Sequence, residues 1–139
     1  MVEMALVLPV LLLVVTGILT FGLALNNYVT LTEATSVGAR ALAISRGQTT
    51  DPCATASAAV YAAAPLLVSS NLSFTFVLNG TTYTGASCSS GSSTTGAAGN
   101  LVQGDNAVVT VTYPCSLAVY GANYAPNCLL QAQMTELVQ

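Results

Sequence analysis

The sequence predicts an α+β fold in which a long N-terminal hydrophobic helix precedes a small antiparallel β-sheet head with one short helix and two disulfides. Three observations support this prediction: an apolar run over residues 4–25, alternating apolar segments after residue 70, and four cysteines placed outside the run. We divide the chain into a stem helix, residues 1–48, and a disulfide-linked β-rich head, residues 49–139.

The composition restricts the class of protein before any element is considered. The chain has 139 residues, enough for one small domain, and only 5% of them are charged; typical soluble domains carry about 25%. A surface with so few charges favours association, so a membrane or like subunits are expected to cover it. Arg40 and Arg46 are the only cations and the net charge is −3, so binding of nucleic-acid phosphates is neither required nor supported.

The first half of the stem has the length of a membrane span. At 1.5 Å per residue, residues 4–25 form a helix of about 33 Å, close to the thickness of a bilayer core. Glu3 stands directly before this run, where a carboxylate is costly unless a cation meets it. Pro9, Gly17 and Gly22 interrupt the run; such helix breakers are tolerated in membrane helices.

The second half of the stem is amphipathic. Apolar residues recur at steps of three and four and predict one packing stripe. The stripe consists of Tyr28, Leu31, Ala34, Val37, Ala41 and Ile44. Ala34 and Gly38 are small and four residues apart, which allows a neighbouring helix to approach closely. Two interpretations remain open, packing on a neighbouring subunit or on the chain's own head. Gly47 is expected to end the helix.

The head begins with a predicted short helix. Asp51 and Pro52 fit an N-cap followed by proline at the first helical position. The helix is expected to end near Ala63, before Pro65, because the residue preceding a proline is disfavoured in the helical region. Three of the residues near its end are expected to face the core. They are Val60, Tyr61 and Ala64.

Two strands joined by a tight turn should follow this helix. Apolar and polar residues alternate over Ser70–Leu78, which predicts a half-buried strand. The pair Asn79-Gly80 favours a type I′ turn, and Thr81–Thr84 is the expected return strand. Residues 85–104 are rich in Gly, Ser and Thr and are interpreted as a surface loop that Cys88 tethers.

The remaining chain predicts two more strands separated by a loop. Ala107–Tyr113 alternates clearly and ends at Pro114. Leu129–Val138 is expected to be a final strand, with Leu130, Ala132, Met134 and Glu136 on one side. A short helix is the alternative for this last segment, because several of its residues are good helix formers.

The cysteines are expected to form two disulfides in an oxidising compartment. Three connectivities are possible. We favour Cys115–Cys128, since its loop is short, which leaves Cys53–Cys88. The alternative is four buried thiols in a cytosolic protein.

Catalytic and metal-binding chemistry is poorly supported. The chain contains no histidine and no CxxC motif, which removes a Ser-His-acid triad and the common zinc sites. It has no phosphate-binding glycine loop. We therefore predict a protein that is not an enzyme, with no catalytic, cofactor-binding or metal-binding residue.

The N-terminal third resembles the corresponding segment of TadE-like pilins, which are type IV-pilin-like proteins. Such proteins begin with a V-E-F-A-L-V-L-P-like segment and continue through an apolar run into a polar helix with an A-x-x-G-A-R-like ending. Residues 2–9 read VEMALVLP here, and Ala34, Gly38, Ala39 and Arg40 stand at the matching later places.

The resemblance implies a function and partners. The expected function is a structural subunit of an extracellular Tad-type filament that polymerises with identical subunits through its N-terminal helix. Before assembly such proteins lie in the inner membrane, where a prepilin peptidase and assembly machinery act on them. Two alternatives remain: a low-copy minor pseudopilin, and a monomeric single-pass membrane protein with an exported domain.

The resemblance also assigns roles to stem residues. Glu3 would pair with the α-amino group of an adjacent subunit and set the axial register, while Pro9, Gly17 and Gly22 would let the helix bend. Alternatively, the Glu3 carboxylate reaches the lipid headgroups. The acid of pilins is usually the fifth residue of the mature chain, and it is the third residue here. Either the given sequence lacks the first mature residues, or Met1 is a start that is not processed in this way.

Overall fold

One helix dominates the architecture. A computed structural model describes residues 2–115, 117–119 and 122–139, without the side chains of residues 2, 3, 5 and 6. Helix α1 spans Val2–Ile44, 43 residues, which corresponds to about 64 Å. It continues without a break through Pro9, Gly17 and Gly22. It ends three residues before Gly47, which has a φ of +71° and lies in the following turn.

The two halves of α1 lie in different surroundings. The lower half is exposed, whereas four apolar side chains of the upper half are completely buried. These are Leu31, Ala34, Ala39 and Leu42. The buried face is therefore rotated relative to the predicted stripe, because Ala39 and Leu42 replace Val37 and Ile44 in the core. The predicted stripe included Val37 and Ile44 because the exposed side of α1 also carries apolar residues at steps of three and four.

Helix α2, Pro52–Ala63, packs against the upper half of α1. Its N-cap is confirmed, because the side chain of Asp51 accepts a hydrogen bond from the backbone N–H of Ala54 at 2.9 Å. Val60 and Ala64 are buried and Tyr61 is partly buried against the core, as predicted.

The head contains a four-stranded antiparallel sheet and a small hairpin. In chain order the strands are β1 (Ser73–Leu78), β2 (Thr81–Thr84), β3 (Asn106–Pro114), β4 (Ala118–Val119), β5 (Ala122–Asn123) and β6 (Leu129–Leu137). The order in the large sheet is β2-β1-β3-β6, and β4 pairs with β5. The last segment is thus a strand and not a helix, which confirms the prediction.

The first hairpin has the predicted turn and return strand, with one correction to where it begins. Asn79 has a φ of 45° and Gly80 a φ of 74°, as a type I′ turn requires. β1 begins at Ser73, later than the predicted Ser70, because Ser69–Asn71 form a 3₁₀ turn before it.

The inner face of the sheet forms the core with both helices. Phe74, Phe76, Val109 and Val111 alternate with exposed or half-buried neighbours and are nearly or completely buried. Tyr61 of α2 meets Phe74 edge-on, with ring centroids 5.4 Å apart. Because the buried residues of α1 belong to this same core, the upper half of the stem is a structural part of the head.

The long polar segment after β2 is more ordered than a free surface loop. It contains a short helix, α3 (Gly96–Gly99), and it buries Ala97, Ala98 and Leu101 in the head. The sequence prediction of a simple loop is therefore wrong for its second half. These three residues pack in the head, although the Gly/Ser/Thr-rich composition of the segment predicted an exposed loop.

Both predicted disulfides are present. Cys53 and Cys88 join the start of α2 to the polar segment, with Cα atoms 5.4 Å apart. Cys115 and Cys128 close the loop that carries β4 and β5, with Cα atoms 5.1 Å apart. The end of β3 and the start of β6 are therefore joined by a disulfide as well as by their backbone pairing.

Candidate assembly and membrane surface

The lower half of α1 exposes an apolar surface on all sides. Every described Leu, Ile, Val, Met and Phe side chain between residues 4 and 25 is between 44% and 74% exposed. Thr16 and Thr20 satisfy their hydroxyl groups by bonding to carbonyls of the preceding turn, at 2.8–3.1 Å. The surface therefore presents almost no unpaired polar group, which suits a hydrocarbon environment.

This stem has the dimensions of a membrane span. Among the described residues, one helix is long and apolar enough to cross a bilayer, and none of the side chains in its most apolar window is buried inside the protein. A core helix of a water-soluble domain would be covered by the rest of its chain. The exposed stem must therefore be covered by lipid or by other molecules.

The predicted register residues lie on this stem. Glu3 lies in the first turn of α1, and its side chain is outside the described part of the structure. A carboxylate in the first turn of a helix is favoured by the helix dipole. Gly17 and Gly22 have no side chain or backbone atom within 4 Å of an added Cβ, so close packing within the chain does not require glycine there.

The structure divides the predicted packing residues into two groups. Leu31, Ala34 and Gly38 face the chain's own head and are buried. The others remain accessible: Tyr28, Val37 and Ile44 are exposed and Ala41 is half-buried. The close approach at Gly38 is to α2, where an added Cβ would lie 2.4 Å from Cγ2 of Val60. Of these seven predicted packing residues, the six of the stripe and Gly38, three therefore build the head and four are available to a neighbour.

Charged groups contribute little to this surface. The Nε atom of Arg40 lies 3.9 Å from Oε1 of Glu136, and the two side chains are 76% and 38% exposed. Arg46 makes a weak contact of 3.4 Å with Gln103. Exposed pairs of this kind stabilise a protein by about 0–1 kcal/mol. These two contacts therefore add little to the stability of the described surface.

One side-chain cluster in the head resembles a metal site without the chemistry of one. Asp51, Cys53 and Cys88 lie together, but both sulfurs belong to a disulfide. The carboxylate of Asp51 also accepts hydrogen bonds from the backbone N–H groups of Ala54 and Cys88, each at 2.9 Å, and from the hydroxyl of Ser87. Its oxygens thus serve to join α2 to the segment that carries Cys88.

These contacts change the acidity of Asp51. Partial burial raises the pKa of its carboxyl, but the hydrogen bonds from Cys88, Ser87 and Ala54 together lower the pKa below the ordinary value. The carboxylate is therefore charged and structural. The sequence predicted the cap from the Asp-Pro pair, but it contained no signal for the bond to Cys88.

A groove separates the stem from the lower end of the head. It has a volume of about 440 Å³. Stem residues on one wall are Thr20, Leu23, Ala24 and Asn27, and head residues on the other are Asn71, Tyr113, Pro114, Cys115 and Ala118. This groove could not be predicted from the sequence, because its two walls are at least 40 residues apart in the chain.

Residues 1–40 match the family model of TadE-like proteins. The resemblance inferred from the N-terminal residues is therefore confirmed over the segment that carries it. Neither the curated proteins nor the solved structures gave a match.

The TadE-like segment covers the whole exposed stem and part of the buried upper half of α1, ending at Arg40. The match covers less than a third of the chain and, together with the membrane-type helix, suggests a Tad pilus-associated protein. TadE-like proteins form a structural rather than an enzymatic family, in agreement with the poor support for catalytic chemistry. The head, from residue 41 onward, lies outside the match.

Proposed function

We propose that this TadE-like chain is a structural subunit of an extracellular Tad-type filament that polymerises through its stem. The observation that carries the proposal is the exposure of every described large apolar side chain between residues 4 and 25, although the head is already packed on the upper half of the same helix. Folding of the single chain leaves this surface uncovered. A filament core of parallel stems would cover it.

Passage from membrane to filament is physically reasonable for such a stem. In the inner membrane, lipid covers the exposed side chains. In the filament, the stems of neighbours would replace lipid, so the surroundings stay dry. Association between apolar helices then depends on close packing and on polar contacts made in that dry core.

Glu3 is proposed to provide the specific polar contact. A buried unpaired carboxylate costs several kcal/mol, and a paired one costs much less. If Glu3 pairs with the α-amino group of an adjacent subunit, a wrong axial position leaves the charge unpaired and is disfavoured. The acid would then determine register more than it increases stability.

The upper stem offers a second contact zone to neighbours. Val37 and Ile44 are 48% and 57% exposed on the side of α1 that faces away from the head core. Tyr28 is 44% exposed near the junction of stem and head. We propose that these residues and Ala41 contact adjacent subunits once the stems are stacked. Pro9, Gly17 and Gly22 would allow the stem to bend as it packs.

The experiment that tests this function compares filament yield for Glu3→Gln, Glu3→Ala and Glu3→Val in the producing cell. We expect all three to reduce the amount of sheared filament strongly, while membrane levels of the subunit stay unchanged. Glu33→Gln is the matched control, because Glu33 is an exposed acid on the same helix. Normal assembly by all three Glu3 variants would reject the pairing role.

The same preparations separate the alternatives. A major subunit should dominate sheared surface material by mass. A minor pseudopilin would be present there at low copy, and a monomeric single-pass membrane protein would be absent from it. Mass spectrometry of that material, including the mature N-terminus, distinguishes the three results.

A further inference from the structure

The lower end of the head lies beside the last turns of the apolar stem. We define the underside as the described residues of 65–72 and 113–129. Asn71, Tyr113 and Ala118 of the underside share one groove with Thr20 and other stem residues. These residues fix the height of the groove along α1. Leu129 pairs with Pro114, which also lines the groove, and the backbone N–H of Tyr124 bonds to the carbonyl of Leu117, next to Ala118.

That height overlaps the end of the proposed membrane span. Thr20 precedes Leu25, the end of the apolar run, by five residues, or about 7.5 Å along the helix. The headgroup layer on each side of a bilayer core is about 5–8 Å thick. A bilayer whose core covers the apolar run must therefore reach the lower part of the groove at Thr20. Asn27, at the upper part of the groove, follows Leu25 by two residues, or about 3 Å, and lies at the level of the headgroup layer.

The side chains of the underside suit that layer. Among the described residues of the head, six large hydrophobic side chains are exposed, and four of them lie here. They are Leu66 (81%), Val68 (54%), Tyr124 (75%) and Leu129 (68%). Tyrosine rings are enriched at membrane interfaces, where one end is apolar and the other is hydrated.

The charge pattern selects the kind of lipid. Residues 65–72 and 113–129 include no Asp, Glu, Lys or Arg, so this surface carries no charge to attract anionic headgroups. Transfer into the interface also costs no desolvation of an ion. The surface therefore fits a neutral phospholipid.

We propose that the underside is a second membrane-contact surface, which rests in the interfacial layer of a neutral phospholipid bilayer while the stem is inserted. This rests on the proposed function to the extent that the stem spans the membrane before assembly. The stem alone would allow the whole molecule to tilt in the bilayer. With the underside in contact, the head is held at one height and orientation above the bilayer.

The absence of tryptophan from the chain permits a direct test with single-tryptophan reporters. Leu66→Trp and Tyr124→Trp report on the underside. Val102→Trp is the matched head control, because Val102 is exposed beside Arg46, beyond the end of α1 and far from the underside. Leu13→Trp reports on the stem. Each full-length underside or head variant is reconstituted in phosphatidylcholine vesicles with bromine atoms on the acyl chains close to the glycerol. Because Leu13 lies near the middle of the apolar run, Leu13→Trp is reconstituted in phosphatidylcholine with bromine atoms near the ends of the acyl chains.

Contact predicts a specific pattern of quenching. Leu66→Trp and Tyr124→Trp should each lose about half of their emission or more, because their rings lie in the interfacial layer. Val102→Trp should keep the emission of a water-exposed ring. Replacing part of the neutral lipid by brominated phosphatidylglycerol should leave the quenching unchanged.

The possible failures are distinguishable. If Leu13→Trp is quenched while both underside reporters behave like Val102→Trp, the membrane contact is rejected and stem insertion stands. If Leu13→Trp is not quenched, both proposals fail. If the underside reporters shift to shorter wavelength only at high protein-to-lipid ratio and without quenching, a second copy covers this surface and the lipid proposal is overturned.

Discussion

Among single residues, Gly38 determines how closely the two main helices approach. An added Cβ would lie 2.4 Å from Cγ2 of Val60 and 3.1 Å from the carbonyl oxygen of Ala56. Val60 is completely buried, and its branched side chain has little freedom to move away. A methyl group at position 38 must therefore separate α1 from α2.

We expect Gly38→Ala to destabilise the head by about 1–3 kcal/mol, the usual cost of overpacking a core. Chemical denaturation of the full chain in detergent, followed by tyrosine fluorescence, measures the change. Gly17→Ala is the matched control, because nothing lies within 4 Å of its added Cβ. Equal stability of the two variants would contradict the close approach of the helices.

Asp51 connects α2 to the segment that carries Ser87 and Cys88 through one carboxylate. It caps α2 at Ala54, holds the backbone of Cys88 and accepts a bond from Ser87. The lowered pKa of Asp51 means that the folded state prefers the charged form. Its stabilising effect is complete above the unfolded pKa, about 4, and is lost as pH falls through the lower folded value.

Asp51→Ala should therefore cost about 0.5–2 kcal/mol at pH 7, the range for loss of an N-cap. The difference in melting temperature between the parent and the variant should shrink as the pH is lowered below 4. Thermal melts at several pH values, with both disulfides intact, provide the measurement. Asp105→Ala is the comparison variant. A difference that is independent of pH would show that the charge of Asp51 is not involved.

At the scale of elements, α1 is one continuous helix with two roles. Its lower half contributes nothing to the described core, whereas Leu31, Ala34, Ala39 and Leu42 are completely buried in it. The division of the chain at residue 48 that we predicted from the sequence would separate the buried residues of α1 from the rest of this core. We infer that the smallest folded unit begins between the exposed lower half and Leu31.

A chain that starts at residue 26 should fold into a soluble monomer with native disulfides. A chain that starts at residue 49 should not, because the sheet and α2 lose the apolar face of α1. Circular dichroism and gel filtration without detergent compare the two. A folded chain from residue 49, with sharp thermal unfolding, would show that the head does not need the upper stem.

For the whole molecule, the scarcity of charge determines how the proposed association should respond to salt. Five acids and two arginines leave a net charge of −3, and the one ion pair among the described residues is exposed. Apolar contacts between stems are not screened by salt, and a buried ion pair at Glu3 would be screened much less than a surface pair.

Assembly of the full chain on removal of detergent should therefore change by no more than about twofold between 0.1 M and 1 M sodium chloride, although the Debye length falls from about 10 Å to 3 Å. Light scattering and electron microscopy of the same samples follow the extent of assembly. Arg40→Gln serves as a comparison for the exposed pair. A steep loss of assembly at high salt would indicate that surface charges hold the subunits together.

Several parts of the fold were predictable because the signal was local. The Asp51-Pro52 pair marks the start of α2, Asn79-Gly80 marks the turn of the hairpin, and strict alternation marks β3. The disulfide Cys115–Cys128 followed from the short distance between its cysteines along the chain. Each of these depends on backbone or loop geometry within a few residues, so no tertiary information was needed.

Other parts were decided by contacts between distant residues. The prediction placed Val37 and Ile44 in the same packing stripe as Leu31, but the burial of Ala39 and Leu42 depends on where α2 and the sheet lie. Helix α3 was missed because its stability comes from burial of Ala97 and Ala98 rather than from helix propensity. The groove under the head has walls from three separate segments.

The sequence by itself determined that this chain has a membrane-length apolar stem with an acid at its start, a β-rich head and an even set of cysteines. These properties follow from composition and from periodicity along the chain. Only the tertiary structure decided which side of the upper stem is buried, why Gly38 must be small and which exposed side chains surround the stem beneath the head. Burial depends on elements that the chain brings together from a distance, and no local pattern contains that information.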